Sequence, residues 1–166
     1  MATYYPSITD EQADLIRQSR VFFIASVDPT LAPGPKGGGP VNLSPRGGVP
    51  LHILSPNRVA FLDYPGSGNE TARHSLAGGP VTLMVCSFDE ENAAIVRLYG
   101  MAHVSPLADS PVKDLLLQTP YDDLKSPRQV IEIEIDSTVT SCGYGVPVMQ
   151  FVRDRHVADR GRRYKA

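Results

Sequence analysis

The sequence predicts a mainly β protein, a small antiparallel barrel with a few short helices. Fourteen glycines and 15 prolines are spread along all 166 residues rather than gathered in one linker, so turn residues cut the chain into short pieces. The apolar runs between them, such as Val21 to Val27 and Val81 to Cys86, have strand length. They fall far short of the roughly 18 to 20 residues that cross a bilayer. From Val130 to Val139, Ile131, Ile133 and Ile135 alternate with Glu132, Glu134 and Asp136, the pattern of an antiparallel strand with one wet face. Six or seven such strands close most readily into a barrel, which removes the exposed edges of a flat sheet.

Each element has a local reason. Thr9 followed by Gln12 has capping-box spacing and opens a helix over 9–19, with Ala13, Leu15 and Ile16 as its apolar face. Residues 20–27 form a buried strand around Val-Phe-Phe-Ile. Residues 28–40 hold four prolines and four glycines and make a long loop, a place where function often sits. Strands follow at 41–44, 49–55 and 58–64, with Ser55-Pro56-Asn57 as the last turn. Asn69 can cap a short helix over 69–77, which Gly78-Gly79-Pro80 stops. Strands at 81–88 and 94–104 pair across the acidic turn 89–92, and a further helix spans 109–118 before the strand at 130–139.

With 42% apolar residues, 20% charged residues and net charge −2, the composition is that of an ordinary soluble domain. It spans 1–152, followed by a basic tail at 153–166. That tail carries six of the 16 basic residues and two of the 18 acidic ones. It lacks the interleaved aromatics of a nucleic-acid platform and reads as a solvated terminus. No membrane segment or secretory signal is visible, and Cys86 and Cys142 form no CxxC pair. A cytoplasmic protein with free thiols is the expectation.

The usual catalytic constellations are missing. His52, His74, His103 and His156 lie at no ligand spacing, and neither G-x-S-x-G, a P-loop nor a strand-linked G-x-G-x-x-G occurs. Three stretches stand out instead. Asp63 to Arg73 sets a glycine-rich turn before a helix start, which suits a phosphate monoester or is simply a capped turn. Gly39 to Gly47 reads as an edge strand delivering Arg46 at a turn. Ser141 to Pro147 flanks Tyr144 with two glycines, allowing close approach to a flat ligand or making a tight turn.

In this order, Val41-Asn42-Leu43-Ser44-Pro45-Arg46-Gly47, Gly66-Ser67-Gly68-Asn69-Glu70-Thr71 and Ser141-Cys142-Gly143-Tyr144-Gly145-Val146-Pro147 resemble the motifs of the pyridoxamine 5'-phosphate oxidase-like family of FMN-binding split β-barrels. The resemblance runs from Tyr5 to Phe151. It implies a homodimer with FMN at the subunit interface. Asn42, Ser44 and Arg46 would line one side, Asp63 and Tyr64 the following strand end, and Gly68, Asn69, Thr71 and Arg73 the phosphate end. Cys142, Gly143, Tyr144 and Val146 would approach the ring system, from the same subunit or the other. The small-molecule reaction would be hydride or electron transfer at the flavin. Two departures speak against an authentic pyridoxamine 5'-phosphate oxidase: Asn69-Glu70-Thr71 replaces a basic phosphate cluster, and the chain has no tryptophan. Alternatives on the same barrel are a deazaflavin-dependent reductase, a flavin or haem binder without turnover, and an interaction module that has lost its cofactor.

Overall fold

A computed structural model describes residues 1–66, 68–118 and 127–154. Its elements are β1 (Ala2–Tyr5), α1 (Asp10–Gln18), β2 (Val21–Val27), β3 (Val41–Gly47), β4 (His52–Ser55), β5 (Arg58–Asp63), α2 (Glu70–Leu76), β6 (Pro80–Cys86), β7 (Ala94–Pro106), α3 (Lys113–Leu116) and β8 (Gln129–Cys142), with 3-10 turns at Pro35–Gly37 and Leu107–Asp109. The eight strands form one antiparallel sheet in the order β3-β2-β6-β7-β8-β5-β4, and β1 pairs with β8. Among the described residues no helix is long and apolar enough to cross a membrane.

β8 organises the fold. One edge pairs with β7 along its whole length. The other edge is divided between β5, which covers residues 129–134, and β1, which covers 138–141. The turn residue Asn57 fills the gap: its Nδ2 donates to the carbonyls of Pro6 at 2.8 Å and Ile135 at 3.1 Å, and its own carbonyl accepts from the Ile135 N–H at 2.8 Å.

The inward faces of the strands make the main core from Phe22, Ile24, Phe61, Leu83, Leu98, Ile131 and Ile133, with Phe22 and Phe61 packed edge to face at 5.1 Å. A second cluster of Ala60, Leu62, Val130 and Leu116 lies under α3. Hence β5 and the start of β8 are buried on both faces. Register shifts between Tyr99 and Gly100, where Tyr99 faces Ser137, Gly100 faces Ile135, and Asp136 is the extra residue. This bulge explains the sequence pattern. It allows Ile131, Ile133 and Ile135 to share the inner face with Thr138 and Thr140 beyond it, so the alternation changes phase after Asp136.

α1 starts with both halves of the capping box formed. Gln12 is 1% exposed because its amide does more than cap: Oε1 also accepts from Thr138 Oγ1 at 2.9 Å, and Nε2 donates to Thr140 Oγ1 at 2.9 Å. The cap therefore doubles as an anchor on β8.

The expected elements are present with altered bounds, and β1 is an additional strand. Its residues are mostly exposed, so no burial pattern marked them. β3 continues through Pro45 to Gly47 rather than stopping at 44, since an edge strand tolerates a missing N–H. The strand expected from 49 begins at His52, and the helix expected at 109–118 contracts to one turn, α3. Asn69 does not cap α2 with its side chain. Residues 155–166 of the basic tail lie outside the described residues.

Candidate functional site

Asn42, Ser44 and Arg46 turn inward from β3 and are half-buried, whereas the intervening Val41, Leu43 and Pro45 are exposed. Asn42 Nδ2 donates to Ser44 Oγ at 3.1 Å and to Thr71 Oγ1, in the first turn of α2, at 3.4 Å. Thr71 is itself buried.

Arg46 reaches the end of β5. Asp63, 2% exposed, accepts at Oδ1 from Arg46 Nη1 at 2.7 Å and at Oδ2 from Arg128 Nη2 at 2.6 Å and Gln129 Nε2 at 2.7 Å. Gln129 Nε2 also donates to Asn69 Oδ1 at 3.0 Å, which explains why Asn69 is not a cap. Two guanidiniums thus share one carboxylate. The Nε atoms of both Arg46 and Arg128 are buried without an acceptor, a condition that costs about 1–3 kcal/mol per group. The Arg46 guanidinium stands 5.7 Å from the Phe61 ring centre, close enough for a cation–π contact.

Arg73 is placed differently. Its Nη1 meets Asp28 Oδ2 at 3.4 Å, and Nη2 donates to His74 Nε2 at 3.0 Å. A guanidinium has no acceptor, so Nε2 accepts and Nδ1 carries the hydrogen directed at Ser26 Oγ, 2.9 Å away. A Cβ on Gly34 would sit 2.8 Å from Arg73 Nη2. Arg73 thereby seats the 28–40 loop on α2. The Thr30 hydroxyl and amide, more than the Ala32 N–H and Arg73, hold the Asp28 carboxyl below the usual carboxylate range against its partial desolvation. A depressed folded-state pKa adds stability above the unfolded value near 4, and this is lost as pH falls through the folded value. The stability gap between the native protein and Asp28→Asn is therefore expected to be constant above about pH 5 and to narrow below about pH 4. Urea melts across that range check it, and a gap independent of pH would contradict it.

The Glu70 carboxylate folds back onto Gly68, into the space a Cβ would occupy there. The glycine-rich turn is thus occupied by the chain's own anion. Tyr64 follows Asp63 at the edge of the second cluster, partly buried.

Cys142, Gly143, Tyr144 and Val146 lie elsewhere. Asn42 is level with Ser26, Val81 and Gly100 across the ladder, whereas Cys86 is level with Ile95 and Ser141. Five residues of β6 separate the two levels, roughly 16 Å at about 3.3 Å per residue. Within one chain this segment does not join the Asn42–Thr71–Asp63 group. Tyr144 is 87% exposed. Near that end an open groove runs between α1 and the β6–β7 hairpin, lined by Glu11, Asp14, Gln18 and Asp89, a setting that repels anions. Cys86 is buried, and desolvation raises its thiol pKa, which suits the expected core role.

Arg128 and Gln129 were not anticipated. Their only local sign is a cation–amide pair directly before an alternating strand. Folding thus brings Arg46 and Arg128, 82 positions apart in sequence, together on one carboxylate.

No family model matches the chain. It is 32% identical over 157 residues to a pyridoxamine 5'-phosphate oxidase family protein, UstO, of Aspergillus flavus, a match covering 93% of this chain and 59% of that protein. The chain thus spans about three fifths of the length of this curated relative. The structure is similar to that of a candidate pyridoxamine 5'-phosphate oxidase of Lactobacillus delbrueckii, with TM-score 0.58, 20% identity and coverage of 81% of this chain and 94% of that one. The fold is that of the pyridoxamine 5'-phosphate oxidase-like split barrels. Within this fold it also resembles an FMN-binding protein of Syntrophomonas wolfei, with TM-score 0.54, 13% identity and 77% and 86% coverage. A third likeness is to an FAD-binding protein of Mycobacterium smegmatis, with TM-score 0.50, 11% identity and 82% and 97% coverage. In this split barrel, the candidate site lies where the inward row of β3 meets α2 and the end of β5.

Proposed function

We propose that this split barrel binds FMN and works as a flavin-dependent oxidoreductase on a small molecule, with the flavin shared between two copies of the chain. The observation that carries the reading is the row Asn42, Ser44 and Arg46 facing Thr71, with the Arg46 Nε buried and lacking an acceptor. Neutral donors beside one oriented cation suit a phosphate monoester and its polar tether. The names of the Aspergillus relative and of the FMN- and FAD-binding neighbours agree with a flavin. A bound flavin would supply the hydride or electron transfer. The side chains here hold and orient: Asn42 and Ser44 donate to the ligand, Arg46 supplies charge, and Asp63 fixes Arg46. Arg73 secures the loop above Thr71. The second glycine-bearing loop, 28–40, is closed onto Arg73 through Asp28 and Gly34, which leaves one turn for one phosphate and favours FMN over FAD.

The test is the cofactor itself. The purified protein is expected to be yellow and to release FMN by mass spectrometry. Thr71→Ala combined with Arg73→Ala should lower flavin occupancy several-fold while leaving the circular dichroism unchanged. Released FAD, a deazaflavin or haem, or undiminished occupancy in the variant, would contradict this assignment.

The dimer rests on separation and exposure. Val41 and Leu43 are 64% and 66% exposed on a free sheet edge, and the 142–146 segment cannot reach its own site. A second copy would cover the first and deliver the second. Light scattering should give about twice the 18.0 kDa of one chain, and a flavin-loaded monomer would refute the arrangement. An authentic pyridoxamine 5'-phosphate oxidase reaction is not part of the proposal.

A further inference from the structure

The flavin reading leaves Arg128 without a task. It lies directly before β8, 65 positions from Asp63 in sequence; its backbone N–H donates to the Asp63 carbonyl at 2.9 Å, and its guanidinium stands beside that of Arg46 because both hold the Asp63 carboxylate. Asp63 divides its oxygens, Oδ1 to Arg46 and Oδ2 to Arg128. Among the described residues no other carboxylate bonds either guanidinium. One negative charge therefore faces two positive ones, and a single positive charge is left. The Arg128 side chain is 31% exposed, so it reaches solvent, yet its Nε is buried with no acceptor. A structural arginine serving only Asp63 would not need this unsatisfied donor, since buried donors are normally paired and exceptions point to a missing partner.

We propose that Arg128 is the anchor for the substrate, and that the substrate is a small molecule carrying a carboxylate. The inference rests on the flavin reading for the location of the reaction, but not for the binding of the anion. A guanidinium presents a planar fork that matches a carboxylate in two parallel hydrogen bonds. The donors set the class further: the row Asn42, Ser44 and Thr71 beside Arg46 suits the several oxygens of a phosphate, whereas Arg128 offers a single fork, which the two oxygens of a carboxylate fill. Asp63 is then a positioning residue for both neighbours. It aims Arg46 at the flavin side and Arg128 at the substrate side, so that the two ligands are held a short distance apart by opposite oxygens of one carboxylate.

The experiment uses the full chain as purified, with benzoate as the carboxylate probe and phenyl phosphate as the alternative anion. Calorimetry follows binding, and absorbance of the released cofactor gives flavin content. Benzoate should bind the native protein, and should bind Arg128→Gln about tenfold or more weakly, the loss expected for a charged two-pronged contact. Flavin content should be the same in both. Arg128→Lys keeps the charge and a contact to Asp63 but loses the fork, so it should be intermediate, and it covers the case in which the glutamine variant folds poorly. Phenyl phosphate should bind the native protein more weakly than benzoate. The proposal is overturned if benzoate does not bind, if both variants bind it as the native protein does, or if phenyl phosphate binds more tightly. It is also overturned if Arg128→Gln loses flavin in proportion to benzoate, which would give Arg128 to the cofactor phosphate. A colourless protein that still binds benzoate through Arg128 would defeat the flavin reading and leave the carboxylate site standing.

Discussion

Asp63→Ala is expected to lower the stability of the protein by about 4 kcal/mol, because it leaves two partly buried guanidiniums repelling each other with no counter-charge. For a chain of this size that is a fall in Tm on the order of 10 °C. The figure sits in the range for breaking a buried ion pair, and partial exposure of Arg46 and Arg128, 24% and 31%, keeps it from being higher. Asp63→Asn should be milder, since its amide oxygen still accepts from one arginine. The decisive comparison is the double variant Asp63→Ala with Arg128→Gln. Removing one of the stranded charges should restore part of the loss, the non-additivity expected of groups in one network. Denaturant melts of the four proteins measure it. A loss below about 1 kcal/mol for Asp63→Ala, or strict additivity, would mean that the cluster is solvated and holds nothing together.

Gly100→Ala should be nearly as damaging, for a steric reason. A Cβ at this position would collide with the Glu134 carbonyl oxygen and lie 2.9 Å from its carbon and 3.1 Å from Ile135 Cα. These are backbone atoms of β8 at the bulge, and β7 is clamped between β6 and β8, so neither side can yield cheaply. Overpacking of this kind costs about 3 kcal/mol, or a Tm lower by roughly 6–12 °C. Gly145, with no heavy atom near its missing Cβ, is the control, and Gly145→Ala should stay within about 0.5 kcal/mol of the native protein. Equal Tm values for the two variants would show that the bulge is not tightly held.

What could be read in the sequence was local. The capping box of Thr9 and Gln12, the β4–β5 turn and the alternation of β8 are contained within a few residues, and each formed as expected. The two-sided burial of β5 and the phase change at Asp136 were not visible, because both depend on which strands become neighbours. The site divides in the same way. Asn42, Ser44 and Arg46 announce themselves by spacing on one strand. Arg73 was expected to face a phosphate, yet its partners are Asp28, 45 positions away, and His74, whose other nitrogen faces Ser26, 48 positions away. Arg128 acquires meaning only from Asp63. No propensity encodes such pairings, so residues whose roles depend on distant partners escape a local reading.

The divided edge of β8 has a consequence for how the molecule comes apart. Four register pairs hold β1, and most of its side chains face water, with Tyr4 at 70% exposure. Little apolar burial opposes its departure. Its junction is fastened by polar bonds, the Pro56 carbonyl to the Ile8 N–H at 2.9 Å, Asn57 to Pro6 and Ile135, and Thr138 Oγ1 to the Ser7 carbonyl at 3.2 Å. Detaching the first few residues exposes scarcely any of the core, whereas detaching β5 exposes two hydrophobic clusters at once. The leading strand is therefore a clasp with its own small opening free energy, released by subglobal fluctuations while the other strands stay paired. Amide protons of residues 2–5 should then exchange by a local route, independent of global unfolding, and those of 130–134 only when the whole sheet gives way.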